Sequence, residues 1–219
     1  MFPKWTNGLR TAVLLLVLGG GAYAGGIVYF GFSPTATDVG YMPEQPIPYS
    51  HALHVGRLGL DCRYCHTTVE ESAHASVPPL KTCIGCHSSI RRQEDPRASR
   101  LIAEMIDAYE SGRAIRWVKV HDLPDYAYFS HAAHVRRGVG CISCHGRVDR
   151  MEVVYQHAPL SMGWCLECHR NPEQHLRPIE EVTNMNWTPP GGRSQADYGL
   201  ELKAASLIKP SQDCSTCHR

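Results

Sequence analysis

YSHALHVGRLGLDCRYCH, residues 49–66, decides how this sequence is read, because a second version of it, FSHAAHVRRGVGCISCH, recurs at 129–145. Each block opens on an aromatic residue, Ser and His, carries a second His three positions on, and ends in Cys-x-x-Cys-His. A repeat about 80 residues apart is the mark of a duplication. Each copy is followed by another CxxCH, at Cys83 and Cys165, and a fifth lies at Cys214.

All ten cysteines fall in these units: Cys62, Cys65 and His66; Cys83, Cys86 and His87; Cys141, Cys144 and His145; Cys165, Cys168 and His169; Cys214, Cys217 and His218. Random placement at this composition gives roughly 0.03 such units, so the spacing carries chemistry. Two cysteines at i and i+3 can add as thioethers across the vinyl groups of one haem. The histidine at i+4 lies on the same helical face and supplies an axial imidazole. Zinc does not fit, because five CxxC pairs each followed by His do not assemble into closed four-ligand sites. A redox disulfide would occur once, beside a βαβ pattern that is missing. The expectation is five covalently bound haem c groups. Only 8% of residues are aromatic, so porphyrins are expected to replace much of the apolar core. A net charge of +1 gives no basis for nucleic-acid binding.

Each iron needs a sixth ligand, and eight further histidines are available. His51 and His131 precede their own first cysteines by 11 and 10 residues, a span that folds each over its module's first haem. His54 and His134, three residues on, share a helical face with them and reach toward a second haem. His121 and His74 are further candidates, against a surface or propionate-bonding role; His157 and His175 are weaker. Met151 is a candidate for the fourth haem, in preference to Met162, which lies too close to Cys165 to reach around a porphyrin. Closing every iron would make the haems low-spin, which suits electron transfer rather than catalysis.

Residues 11–32 carry no charge over 22 positions, about 33 Å of helix, enough to cross a bilayer. The apolar run continues past Ala22-Tyr23-Ala24, which favours a retained anchor over a cleaved signal peptide. Lys4 and Arg10 place its N-terminus in the cytoplasm, so the remainder is expected on the periplasmic side of a bacterial inner membrane, single-pass. Gly21 and Gly25 form a GxxxG that suits close helix approach. The expected organisation is an anchor at 1–32, a Pro-rich linker at 33–48, a dihaem module at 49–94, a helical spacer at 95–128, a second dihaem module at 129–172, and a segment bearing the fifth haem at 173–219. In the spacer, Asp95 as N-cap, Pro96 at N1, and Leu101, Ile102, Met105, Ile106 and Tyr109 at helical spacing predict a helix ending near Gly112. A shorter helix is expected around Tyr198–Leu207. The fold class is a multihaem cytochrome c: short helices packed around haems, with little other regular structure.

The ordered set of one N-terminal helix, YSHALHVGRLGLDCRYCH, VHDLPDYAYFSHAAHVRRGVGCISCHG and PLSMGWCLECHRNP resembles the pentahaem cytochrome subunit of alternative complex III. HxxH before CxxCH is shared more widely with cytochromes c3 and c7. The resemblance implies a subunit of a quinol-oxidising respiratory complex, beside an iron–sulfur protein and integral-membrane subunits, passing electrons to a cytochrome c or an oxidase. On that reading the chain is an electron-transfer subunit rather than a catalyst on its own. The competing reading is a self-sufficient quinol dehydrogenase resembling the NapC and NrfH cytochromes, and a third is a multihaem reductase with an open iron position.

Overall fold

A computed structural model describes residues 3–32 and 37–218, in two compact units, one ending at Val39 and the other beginning at Gly40. The first unit is essentially helix α1, Thr6–Phe32. Its 27 residues make about 40 Å of helix, and none of its side chains is buried against protein. It is the one helix among the described residues long and apolar enough to span a membrane. A Cβ added at Gly21 or Gly25 would meet nothing within 4 Å.

The second unit is helical, with no strand among its described residues and a single β-bridge, Val139 to Leu176. The expected linker at 33–48 falls partly on 33–36, outside the described residues. From Gly40 onward the segment lies against its own unit. Gly40 N–H donates to the Gln156 carbonyl, Gln156 N–H donates to the Tyr41 carbonyl, and the Gln45 amide pairs both ways with the Val118 backbone. Among the large side chains of the described residues only Leu176 and Val182 are fully buried, so the polypeptide alone makes a thin core.

Helix α2 is Cys62–Cys65 and α3 is Leu80–His87; α4, Pro96–Glu110, is the predicted spacer helix. Asp95 caps α4 by accepting from the Arg97 and Ala98 N–H groups, and Gly112, just past its end, has φ +68°. Its apolar stripe buries Ile102, Met105 and Ala108. Helices α5, His131–Val135, and α6, Ile142–His145, form the second repeat block; α7 is Met162–Arg170, α8 Gln195–Ala205, and α9 Cys214–Cys217. Helix α8 starts three residues before the predicted Tyr198, because Ser194 caps it by accepting from Asp197 N–H. It packs on a 3₁₀ turn at Pro172–Gln174, with Gly199 directly on the Glu173 carbonyl.

The two repeat blocks differ in their first turn. Where the second has the α-helical turn α5, the first has a π-helix, Ala52–Arg57. The first block is one residue longer between its leading histidine and first cysteine, and the wider π turn takes up that residue.

Candidate metal centres

Each CxxCH folds as one helical turn. The N–H of His66, His145 and His218 donates to the carbonyl of Cys62, Cys141 and Cys214 at 2.9, 3.0 and 2.8 Å, while the second and fourth units lie inside α3 and α7. The turn brings both thiols and the imidazole to one face, as thioether attachment and axial ligation require.

The histidines are then oriented by their Nδ1 atoms. Those of His66, His87, His169 and His218 lie 2.8, 3.2, 2.6 and 3.1 Å from the carbonyls of Ser76, Ile90, Ser211 and Tyr126. Those of His54, His131 and His134 lie 2.8, 2.9 and 2.8 Å from the carbonyls of Ser50, Ala73 and Ser130. A carbonyl only accepts, so each of these seven Nδ1 atoms carries the proton and each Nε2 presents a lone pair. This is how a metal-bound imidazole is held from behind.

Several of these imidazoles face one another. With metal–nitrogen bonds of about 2 Å and each ring centroid about 1 Å further on, two imidazoles on opposite faces of one metal have centroids roughly 6 Å apart. His54 and His87 stand at 6.2 Å, His134 and His169 at 6.0 Å, and His131 and His145 at 6.4 Å with ring planes 13° apart. Among the described residues no three His, Cys, Asp or Glu side chains converge to hold a bare ion. Opposed pairs beside thiol pairs fit a planar macrocycle, and do not fit tetrahedral zinc.

His51 lies near His66. Burial, then the neighbouring His66 and His54, hold it down at about 4, and its Nδ1 is buried with no hydrogen-bond partner. His121 stands beside His145 rather than opposite it, at 4.6 Å and 77°, too close for the two to share one metal from opposite faces. Its Nε2 is also buried without a partner. Burial, then the neighbouring His121, His131, His66 and His51, lower His145 to about 3. His74 is exposed. Met151 is buried, with its carbonyl accepting from Ala52 N–H, in the first repeat block; the place opposite His169 is taken by His134. His157 packs its ring against Gly146, where φ is +64°.

The aromatic residue opening each block is part of the site. Tyr49 meets His51 edge-on at 4.8 Å and 85° and stacks on His54 at 4.3 Å; Phe129 meets His131 at 4.8 Å and 85° and His134 at 4.5 Å. One ring thus braces two imidazoles in each copy. The repeated Tyr-Ser-His and Phe-Ser-His carried this signal, which an inspection confined to metal-ligating residue types passes over.

The family described as cytochrome c7 and related cytochrome c matches residues 127–219. The menaquinone reductase multihaem cytochrome c subunit of Nitratidesulfovibrio vulgaris is 32% identical over 155 residues, 61% of this chain and 70% of that protein.

Proposed function

This chain belongs to the multihaem cytochromes c related to cytochrome c7, and from that premise we propose that it is an electron-relay subunit of a membrane complex exchanging electrons with a quinone pool. Haem c, held through the CxxCH cysteines, supplies one-electron redox chemistry at iron. The observation that carries the reading is the set of seven histidines with Nδ1 tied to backbone carbonyls, five of them in facing pairs next to CxxCH turns. Backbone carbonyls hold these seven imidazoles from behind, which keeps the geometry alike in both oxidation states.

In this reading five haems are bound, one per CxxCH. His54, His131 and His134 would hold the irons of the motifs of His87, His145 and His169 together with those histidines, and His51 would do so with His66. Helix α1 anchors the chain in a bacterial inner membrane with the second unit on the periplasmic side, supported by Lys4 and Arg10 before the apolar run. The complex is proposed to be a quinol-oxidising one of the alternative complex III type, with integral-membrane and iron–sulfur subunits as partners and a cytochrome c or oxidase as acceptor. The ordered motif set supports that choice. The relative is named for the reverse direction, menaquinone reduction, and a relay conducts either way, so direction depends on the potentials of its partners.

The test is the purified chain matured with haem. Mass and pyridine haemochrome should give five haems per chain, and spin resonance should show predominantly low-spin iron. Reduction by menaquinol is expected only with the partner subunits present. Reduction of the isolated chain by quinol would instead establish a self-sufficient quinol dehydrogenase, and predominantly high-spin iron would point to a reductase. Midpoints above the menaquinone couple support quinol oxidation, and midpoints below it support menaquinone reduction.

A further inference from the structure

We propose that the five CxxCH motifs form one unbranched file in the spatial order second, first, third, fourth, fifth, so that the third is central and the second and fifth are the ends. The inference deepens the relay reading and rests on it.

Four links define the file. Second to first: His54 faces His87 of the second motif, while His51, three residues earlier and beside His66 of the first, is braced by the same Tyr49 ring. Cys65 and Cys83, of the first and second motifs, are both near enough to Tyr49 to act on its hydroxyl. Third to fourth: His131 and His134, on one turn of α5, face His145 and His169. Fourth to fifth: His169 donates from Nδ1 to the carbonyl of Ser211, whose hydroxyl lies 2.8 Å from that of Thr216, inside the fifth motif.

The link between the modules is first to third. One loop holds both sides of it: the Ser76 carbonyl accepts from His66, and the Ala73 carbonyl accepts from His131 Nδ1 and His131 N–H. Two consecutive residues also bind the starts of both motifs, since Cys141 N–H donates to the Val182 carbonyl and Thr183 Oγ1 donates to Asp61, next to Cys62. The Cys62 and Cys141 thiols are neighbours and perturb one another. The duplicated modules therefore meet head to head at their first motifs, which is why spatial order departs from chain order.

Exposure follows the same file. None of the five residues of the third motif is exposed; the first has Tyr64 and the fourth Glu167; the second has Gly85 and Cys86; the fifth has Cys214, Ser215 and Thr216. Shielding in the middle and access at the two ends suit a conductor loaded at one end and discharged at the other, with all traffic passing the third motif.

An anomalous map at the iron edge, from crystals of the haem-loaded chain, tests the order directly, with each iron assigned by its CxxCH. The four shortest iron–iron separations should join second to first, first to third, third to fourth and fourth to fifth. Any other joining pair among the shortest four overturns the file while leaving the relay; fewer than five irons overturns the relay itself. In solution, His131→Met and His54→Met mark the third and second irons by raised potential. His131→Met should shift the midpoints of two other haems most, and His54→Met of one. Two equally shifted neighbours for the His54 variant would place the second motif inside the path and refute its position as an end.

Discussion

His134 shows how much one side chain can be constrained: Ser130 holds its Nδ1, Phe129 packs on its ring, and the ring centroid stands 6.0 Å from that of His169. His134→Ala should leave the covalent haem count unchanged and convert one haem of five to high spin, read by spin resonance; an unchanged low-spin spectrum would show that another group closes that iron. Arg147 and Asp149, just past the third motif, form a two-pronged ion pair at 2.8 and 2.5 Å with the carboxylate 10% exposed. The Arg147 hydrogen bond holds the Asp149 carboxyl below its ordinary value against the opposing effect of burial. Asp149→Asn should cost about 1–2 kcal/mol near pH 7, the arginine being part-exposed. Because the folded pKa is depressed, the pair stabilises above the unfolded value near pH 4 and the benefit fades as pH falls through the folded one. The gap in thermal midpoint between wild type and variant should therefore close on acidification, and a gap independent of pH would assign the loss to packing. At this scale the CxxCH units and the paired histidines ahead of two of them were legible from spacing. The bracing rings and the carbonyls behind each imidazole were not, because backbone acceptors leave no residue-type signature.

Helices were legible where capping and periodicity agree. Helix α4 begins and ends where Asp95, Pro96 and Gly112 place it, since each of those residues acts on its own neighbours in the chain. The π-helix at Ala52–Arg57 was legible only as one surplus residue in an alignment of the two blocks; choosing a π turn over a loop took the contact of Gly56 with the Asp149 carbonyl. Helix α8 provides a test of packing against propensity. In an isolated helix Gly199→Ala would stabilise by about 1 kcal/mol. Here a Cβ at that position would run into the Glu173 backbone carbonyl, and Lys203 and Gln195 tie the same residue to α8. Gly199→Ala is therefore expected to destabilise by about 1–3 kcal/mol, measured by thermal unfolding, and a raised midpoint would mean that the α8 contact yields freely.

For the whole molecule, the apolar helix α1 and the unit that carries the CxxCH motifs are separable in composition, and their roles should separate too. Removing residues 1–32 should move the chain from the carbonate-resistant membrane fraction to the soluble one with its haem count intact; a truncated chain that stays membrane-bound would show that partner subunits, rather than α1, hold it there. The sequence by itself determined the covalent chemistry, the duplication, the apolar N-terminal helix and the pool of histidines, because these depend on residue identity and on spacings of three to eleven positions. Tertiary structure decided which imidazole faces which motif, that His121 stands beside His145, and that Met151 is packed against the first block. It also decided how the modules meet. Those pairings join residues as distant as Asp61 and Thr183, and they depend on backbone carbonyls and ring packing, whose positions exist only once the chain has folded.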